Sequence, residues 1–397
     1  MDPTVENSNL NIFHVGGRNG TIEFPNMPKF NDSLNFFLFD ADPESIDKIK
    51  KNNKIAKVYP LCLLDIEQNI SFNITADPHA SSVYQLNEKY KSYFTEHAKY
   101  DYLFSEALKA KKKINISSTF IDKIVYEKKV PNPDYLSIDA EASEYLILKG
   151  ANKCLKNMTV AVLIETNFIE LQQGQPTFKD IHNLLDEKNF LLADLDISRF
   201  HYKRINKKLR GKKMPLGCDA LFLKDPKLLY ENIIKYKQSN LPLKKLAFIS
   251  FAYGFNEIGF DALQYLSKFN SSLDDNSLIS NFLKECNKFI ILNKLNNISW
   301  FNYNKFNSLV KIEEKQKEIE LKYTSNFVRK LINFKNSPIL YLTNVVRHNY
   351  RKILNRIAYL KSFLPFTVTF KYKHKTKFQI FLEKNGMFLA SKNISNR

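Results

Sequence analysis

The stretch IFHVGGRNG at residues 12–20, followed by FFLFDADP at residues 36–43, decides the fold predicted for this chain. In the first part an apolar run ends in Gly16 and Gly17, and glycines let the backbone turn sharply and approach a ligand closely. In the second part an apolar run ends in Asp40, where a carboxylate is well placed to accept hydrogen bonds from a ribose diol. The pair predicts the adenosine-binding half of a doubly wound α/β domain, and two unrelated turns are the alternative.

The composition is that of a folded globular protein with a large core. The chain has 397 residues, of which 44% are hydrophobic, and this is enough for two domains. No uninterrupted apolar run approaches the roughly 20 residues that span a bilayer, and the polar, acidic start MDPTVENSN is not a secretory signal. The four cysteines are far apart and form no CxxC pair. We therefore interpret them as reduced thiols of a cytoplasmic protein.

Strands and helices alternate through most of the first 225 residues, which predicts a mostly parallel sheet with crossover connections. The apolar segment VAVLI at 160–164 is typical of a central strand buried on both faces. Residues 86–113 form a polar and aromatic insertion, for which a substrate lid and a surface helix pair are alternatives. After residue 225 the pattern changes to short helices. The predicted domains are an α/β domain at 1–225, a helical region at 226–320 and a basic tail at 321–397.

The net charge of +19 is concentrated in the tail, where residues 321–397 contain sixteen Lys or Arg and one acid, Glu383. Within the tail we predict a helix at 339–364, basic on one face, followed by a β-hairpin of strands 366–373 and 377–384. Such a helix predicts contact of residues 339–397 with an anionic membrane surface, at the inner face of the membrane. Packing of its apolar face on its own domain is the alternative.

Acids follow three apolar strands, at Asp40, Asp139 and Glu165. In an open parallel sheet ligands bind at the carboxyl ends of the strands, and an unpaired carboxylate there is costly. Together with Glu141 and Glu144, these acids suit either deprotonation of a hydroxyl or binding of a divalent cation. The alternative is that Asp139 caps the next helix and that Glu141 and Glu144 are surface residues.

Six blocks in this order over residues 12–225 resemble the FkbM-type S-adenosylmethionine-dependent methyltransferases. The fourth, YLSIDAEASEYLILKGA, is similar to the family pattern K-[IL]-D-x-[EQ]-G-x-E-x-x-[IVL]-L-x-G-A. The blocks are IFHVGGRNG at 12–20, FFLFDADPES at 36–45, ISFNITADPHASSVY at 70–84, YLSIDAEASEYLILKGA at 135–151, VLIETNFIELQQGQPTFKDIHNLLDEKNFLL at 162–192 and GCDALFLKD at 217–225. The resemblance implies a Rossmann-like, doubly wound sheet of the class I methyltransferase type. It does not extend to the C-terminal region.

Three residues depart from the family pattern. His14 stands where the family usually has Asp, Ser137 where Lys is common, and Ala142 where Gly is usual. Pro25 and Pro28 also predict that the first crossover helix is short or irregular.

The resemblance implies methyl transfer from S-adenosylmethionine to a hydroxyl of a sugar, a glycan or a related small molecule. It implies that Asp139 and Glu165 are catalytic, with His14 or His79 as an alternative base. The residues implied to bind the cofactor are His14, Gly16, Gly17, Asn19, Gly20, Asp40 and Asp65. Those implied on the substrate side are Ser81, Ser82, Asn87, Tyr90 and Asn167. No residue is assigned to a metal, and a divalent cation has no support beyond the acids themselves.

Two other functions are alternatives. One is a binding module that kept the fold and lost turnover, which the departures at His14 and Ala142 favour. The other is a nucleic-acid-binding protein that uses the basic tail. It is the least favoured, because the tail aromatics alternate as a hairpin core would and no zinc knuckle, RRM-type block or KH loop is present.

Overall fold

The computed structural model describes residues 9–16, 23–42, 46–47, 49–50, 56–95, 102–269, 273, 275–293, 295 and 377–387. The loop residues Gly17, Asn19 and Gly20, the predicted helix at 339–364 and the predicted strand at 366–373 lie outside this part of the chain. Residues 1–290 and 376–397 form one compact unit, and residues 291–375 form a second. The description that follows concerns the first unit.

The strands build a seven-stranded sheet and a small three-stranded one. The strands are β1 (Leu10–Val15), β2 (Leu34–Phe39), β3 (Lys57–Tyr59), β4 (Cys62–Leu63), β5 (Asn69–Thr75), β6 (Ala110–Thr119), β7 (Tyr135–Ile138), β8 (Ala161–Asn167), β9 (Phe190–Phe200) and β10 (Met214–Lys224). The large sheet has the order β3-β2-β1-β7-β8-β10-β9, and the small sheet has the order β4-β6-β5. In the large sheet β1, β2, β3, β7 and β8 are parallel, whereas β10 is antiparallel to both neighbours. This mostly parallel architecture confirms the predicted fold class.

Helices cover both faces of the large sheet. They are α1 (Phe104–Ala107), α2 (Ile121–Tyr126), α3 (Glu144–Gly150), α4 (Asn152–Asn157), α5 (Phe178–Asp186), α6 (Pro226–Tyr236), α7 (Leu241–Tyr253), α8 (Asn256–Leu266), α9 (Leu278–Leu292) and α10 (Lys377–Lys384). None of the described helices is long and apolar enough to cross a bilayer. We call the face covered by α2–α5 the crossover face, and the face covered by α6–α10 the C-terminal face.

Strand β1 shows why the central strands are apolar throughout. Successive side chains of a strand point to opposite faces. Accordingly Leu10 and Ile12 pack with the helices of the C-terminal face, and Phe13 and Val15 pack with the helices of the crossover face. Because both faces are covered, an alternating polar pattern would bury polar groups on one of them.

The C-terminal helices cover the face beside the first crossover. Between residues 23 and 33 this crossover forms only a 3-10 helix, Pro28–Ser33, which agrees with the expectation from Pro25 and Pro28. Phe30 of that segment packs edge-on against Phe248 of α7 at 5.1 Å between ring centroids. All thirteen residues of α7 are buried. A helix that is buried all round lies between layers, and α7 lies between the sheet and the other C-terminal helices.

One buried and one partly exposed ion pair fix α7 in place. The Lys245 ammonium lies 2.7 Å from the Asp134 carboxylate, and both side chains are almost completely buried. Asp134 also accepts a hydrogen bond from the backbone N–H of Asn11 at 2.7 Å. Lys244 pairs with Asp275 at 2.6 Å. The contacts of Asp134 join α7 to the starts of β1 and β7, and removing one partner of this buried pair would leave an uncompensated charge. The pair of Lys244 with Asp275 joins α7 to the segment before α9.

The predicted terminal β-hairpin is wrong at its second strand, because residues 377–384 form helix α10. In a strand Phe378, Ile380 and Leu382 would share one face. In the structure Phe378 and Leu382 are buried and Ile380 is exposed. Phe381 instead stacks on Phe289 at 4.3 Å, so the tertiary contacts select the helical periodicity of a sequence that also alternates.

The region between residues 55 and 119 differs from what its local pattern indicates. The apolar run at 55–64 has the pattern of one buried strand, but it is divided into β3 and β4, which belong to different sheets and are separated by Pro60. The insertion predicted at 86–113 ends earlier, because β6 begins at Ala110 and pairs antiparallel with β5. Proline lacks the N–H that a continuous ladder needs, and the pairing of β6 is a long-range contact that local pattern does not show.

Candidate functional site

A cleft lies at the carboxyl ends of β1, β2 and β4, between them and the turn that follows β7. Its walls include Gly16, Asp40, Leu63, Asp139 and Glu141. We call it the carboxyl-edge cleft. It is located where ligands bind in open α/β sheets.

Gly16 permits the close approach that forms the floor of the cleft. Its φ is +97°, and a Cβ built on it would lie 1.6 Å from the carbonyl oxygen of Asp139. Its N–H donates to the carbonyl oxygen of Phe39 at 2.9 Å. A residue with a side chain therefore does not fit at position 16. This agrees with the sharp glycine turn that the sequence predicts after the first strand.

Asp40 lies at the end of β2 and lines the cleft. One of its carboxylate oxygens accepts a hydrogen bond from the backbone N–H of Asp42 at 2.7 Å. Cys62 lines the same wall, and its burial, together with the charge of Asp40, raises the pKa of that thiol to about 12. Cys62 is therefore a packing residue and not a thiolate nucleophile.

Asp139 and Glu141 line the cleft, and Glu165 lies beside them without lining it. Oxygen atoms of the three carboxyl groups all lie within 4.8 Å of one another. Glu165 also pairs across the sheet with Asp219 of β10, which in turn pairs with Asp196 of β9. The sheet register thus brings together acids that are up to 80 residues apart in sequence.

The proximity of these acids changes their protonation. The charge of Asp139 raises the pKa of Glu165 well above its usual value, although the Glu165 side chain reaches solvent. Burial, followed by the charges of Asp139 and Glu144, does the same for Glu141. Like charges this close do not all ionise together, so the cluster keeps protons to a higher pH than separate carboxyl groups would. Such a group suits proton transfer, and its oxygen atoms also suit a hard divalent cation.

A tight turn carries Glu141 into the cleft. Glu141 and Ala142 both have positive φ, of 50° and 78°. One carboxyl oxygen of Glu144 accepts hydrogen bonds from the N–H groups of Ala140 and Ala142, both at 3.0 Å. The hydroxyl of Ser82 donates to the carbonyl oxygen of Glu141. The hydrogen bonds of Glu144 and Ser82 therefore stabilise the conformation of this turn.

Glu144 is a residue whose role the sequence left open. It is buried, so the surface alternative is wrong for this residue, and burial raises its pKa to about 8. The alternative that Asp139 caps the next helix is also wrong, because the residue at the N-cap of α3 is Ser143. The block at 135–151 contains all three acids. Only the tertiary structure shows that Glu144 supports the turn while Asp139 and Glu141 face the cleft.

His14 and Ser137, two of the departures from the family pattern, contact each other. They are register partners on β1 and β7, and the His14 Nδ1 atom lies 2.9 Å from the Ser137 Oγ atom. The Ser137 hydroxyl also lies 3.3 Å from a carboxylate oxygen of Glu23. Both strand residues are buried on the C-terminal face. His14 is not among the residues that line the carboxyl-edge cleft.

The other residues implied by the resemblance are divided between the cleft and its surroundings. Ser81 lines the cleft, and Ser82 supports the turn as described above. Asp65 does not line the cleft and pairs with Lys149 of α3 at 2.9 Å. Asn167 is the last residue of β8, where it pairs with Gly217.

Asn87 and Tyr90 belong to the insertion. The Asn87 amide donates to the carbonyl oxygen of Glu170 at 3.0 Å, which joins the insertion to the loop after β8. Tyr90 packs on Tyr93 and Phe94 in a satellite aromatic cluster. Neither residue lines the carboxyl-edge cleft.

Sequence reasoning missed most of one wall of the cleft. The segment 61–64, Phe72 and Val83 line it, together with His79, which was considered as an alternative base. Most of these residues are apolar and come from or flank the small sheet. No local pattern distinguishes them from ordinary core residues, because their position depends on the pairing of β4 with β6.

The family model described as methyltransferase FkbM domain matches residues 14–192. No curated protein sequence matches the chain.

Three solved structures illustrate the structural neighbours. A precorrin-6y C5,15-methyltransferase from Geobacter metallireducens has 8% identity and a TM-score of 0.29, with 56% of this chain and 84% of that chain covered. A methyltransferase FkbM from Methylobacillus flagellatus has 11% identity and a TM-score of 0.28, with 54% of this chain and 44% of that chain covered. The TrmK of M. capricolum, in complex with S-adenosylhomocysteine, has 9% identity and a TM-score of 0.26, with 71% of this chain and 94% of that chain covered.

Proposed function

Because residues 14–192 form a methyltransferase FkbM domain, we propose that the protein uses S-adenosylmethionine to methylate a hydroxyl group of a sugar or glycan. The observation that carries the proposal is the carboxyl-edge cleft, which Gly16 and Asp40 line together with the acids Asp139 and Glu141. The candidate cofactor residues and two of the clustered acids thus line one cavity.

The residues present fit an adenosine-containing cofactor. Gly16 lines the cleft, and a glycine lets a ligand approach the backbone closely. Asp40 follows the second parallel strand, where its carboxylate can accept hydrogen bonds from ribose hydroxyls. When bound, S-adenosylmethionine supplies a methyl group activated by the sulfonium. The chain's own residues bind it, orient the acceptor and remove a proton.

The acidic cluster is the proposed proton acceptor. Asp139 and Glu165 lie on adjacent parallel strands, and the carboxyl groups of Asp139, Glu141 and Glu165 are close enough to share protons. An alcohol acceptor loses its proton as the new bond forms, and a carboxylate aligned with it acts as general base. The raised pKa of Glu165 makes this residue a stronger base, when ionised, than an exposed carboxylate.

The compartment and the acceptor are part of the same proposal. All four cysteines are free and buried, which is compatible with the reducing cytoplasm. The acceptor is a glycan or a small hydroxylated molecule, with the residues near Ser81 and Ser82 on its side of the cleft. A non-catalytic binding module is the second candidate, and the His14–Ser137 contact in place of the usual family residues favours it.

Calorimetric titration with S-adenosylmethionine tests the cofactor site. We expect micromolar binding by the unmodified protein and loss of binding in Asp40→Ala. The matched control is Asp186→Ala, an exposed acid at the end of α5, which should bind normally. No binding by the unmodified protein at millimolar ligand would contradict the proposal.

Transfer of a labelled methyl group to a panel of hydroxylated glycans then separates the two candidate functions. Turnover that is lost in Asp139→Asn and Glu165→Gln, with cofactor binding retained, supports the acid cluster as the base. Cofactor binding without transfer to any acceptor would favour the binding module.

A further inference from the structure

The loop between β9 and β10 is strongly basic and lies at the same edge of the sheet as the cleft. Residues 201–213, HYKRINKKLRGKK, contain seven Lys or Arg and no acid. In the sheet β9 is antiparallel to β10, and β10 is antiparallel to β8. The end of β9 therefore lies at the same edge as the end of β8. We call residues 201–213 the basic loop.

Hydrogen bonds connect the two ends of the basic loop region to the segment after β8 and to the insertion. The N–H of Phe168, one residue after β8, donates to the carbonyl oxygen of Leu216 at 2.8 Å. At the other end of the loop, the N–H of Thr95 donates to the carbonyl oxygen of His201 at 2.9 Å. The loop is thus connected to β10, which pairs with the strand that carries Glu165. Thr95 of the insertion contacts the first residue of the loop.

The tip of the loop presents apolar side chains among the charges. Leu209 is 77% exposed, and Tyr202, Ile205 and Met214 are also exposed. A short 3-10 helix at Lys207–Leu209 is closed by the Asn206 side chain, which accepts from the N–H of Lys208 at 3.0 Å. This local structure keeps Lys208 and Leu209 together at the tip.

Two lysines of the basic loop, Lys208 and Lys212, are not neutralised within the described part of the chain. Arg204 lies 3.6 Å from Glu106, in an exposed pair, and the Lys203 ammonium lies over the rings of Tyr93 and Tyr202. Among the described residues no salt bridge is formed by Lys208 or Lys212. The loop therefore presents an excess of positive charge to its surroundings.

We propose that the basic loop docks the protein on an anionic phospholipid bilayer, with its lysines on lipid phosphates and Leu209 and Ile205 inserted at the boundary of the acyl chains. Basic residues near an anionic membrane attract it, and exposed apolar residues add burial. A polyanionic sugar or a nucleic acid would match the charge but would leave Leu209 exposed. Docking orients the carboxyl edge of the sheet towards the membrane and does not depend on methyl transfer.

Flotation of the full-length protein with vesicles tests the proposal directly. At low salt we expect binding to vesicles of phosphatidylcholine with phosphatidylglycerol, weaker binding at high salt, and none to phosphatidylcholine alone. The double variant Lys208→Gln with Lys212→Gln should bind about 30-fold more weakly, because each lysine near an anionic surface contributes about a fivefold increase in affinity. Leu209→Ser should weaken binding at both salt concentrations, since it removes the apolar contribution.

The matched control is the double variant Lys153→Gln with Lys156→Gln. It removes the same charge from exposed positions of α4, which ends shortly before β8 begins, at the opposite edge of the sheet. We expect normal vesicle binding by this variant.

Absence of binding by the unmodified protein, or equal losses in the two double variants, would overturn the proposal. Binding that survives the loop substitutions would assign membrane contact to another segment, and displacement by RNA without vesicle binding would assign the loop to nucleic acid.

Discussion

At the scale of single residues, the turn at 141–142 is the most strained part of the candidate site. Two consecutive residues other than glycine have positive φ there, and each such residue costs about 1–2 kcal/mol. The hydrogen bonds from Ala140 and Ala142 to Glu144 and from Ser82 to Glu141 oppose this strain. The arrangement holds the Glu141 carboxyl group beside Asp139 at a cost in stability.

Ala142→Gly should therefore be tolerated better than an ordinary change from alanine to glycine. Glycine removes the strain of the left-handed conformation but adds about 0.5–1 kcal/mol of entropy to the unfolded chain. We expect a change of about 0 to +1 kcal/mol in the free energy of unfolding, measured by urea denaturation. Ala151→Gly is the control, because this residue is also buried but has a φ of −106°. It should lose about 1 kcal/mol or more, and an equal loss in both variants would argue against strain at Ala142.

At the scale of secondary-structure elements, the C-terminal helices complete the fold of the methyltransferase domain. The core of the C-terminal face combines Ile12 of β1, Leu163 of β8 and Leu246 of α7 with Leu382 of α10. Helix α10 is contributed by a segment more than 80 residues after the end of α9. Its packing shows that residues near the end of the chain belong to the same core as the first strand.

The helical form of residues 377–384 can be tested with two substitutions of similar size. Leu382 is completely buried, whereas Ile380 is 43% exposed. We expect Leu382→Ala to lower the free energy of unfolding by about 2–4 kcal/mol, because it leaves a cavity. Ile380→Ala should cost less than about 1 kcal/mol. Similar large losses at both positions in urea denaturation would instead indicate that they share a buried face, as in a strand.

At the scale of the whole molecule, the acid cluster should make stability depend on pH. The folded-state pKa values of Glu141, Glu144 and Glu165 are raised, so the native state binds more protons than the unfolded state above about pH 4.5. Stability then falls as the pH rises through this window. For Glu144 the window ends near its folded pKa of about 8. Lys224 acts in the opposite direction above its lowered pKa of about 7, so the clearest decrease is expected between about pH 5 and 7.

Glu144→Gln isolates the contribution of one acid. Glutamine keeps a carbonyl oxygen for the N–H groups of Ala140 and Ala142 but does not ionise. Relative to the unmodified protein, the variant should gain on the order of a few kcal/mol between pH 5 and pH 8. Urea denaturation of both proteins without cofactor measures this difference. The exposed control Glu187→Gln should show no such change, and a constant difference between the unmodified protein and Glu144→Gln would contradict the raised pKa.

The sequence by itself determined the class of fold, the places of most strands along the chain and the positions of the main acids. Hydrophobic runs, the glycine turn and the acids at strand ends are local signals, because parallel strands buried on both faces must be apolar and their carboxyl ends carry the ligand site. Asp40, Asp139 and Glu141 were found in this way, and all three line the cleft.

Only the tertiary structure decided which of these residues meet and what surrounds them. The register of β8 with β10 places Asp219 beside Glu165, and the pairing of β7 with β1 places Ser137 beside His14. Glu144 is buried and supports the turn, although its sequence position also allowed a surface residue. Residues 377–384 alternate like a strand but form a helix that packs against Phe289. These outcomes depend on contacts between residues far apart in the chain. Local periodicity does not contain that information, because the same short pattern is compatible with more than one set of neighbours.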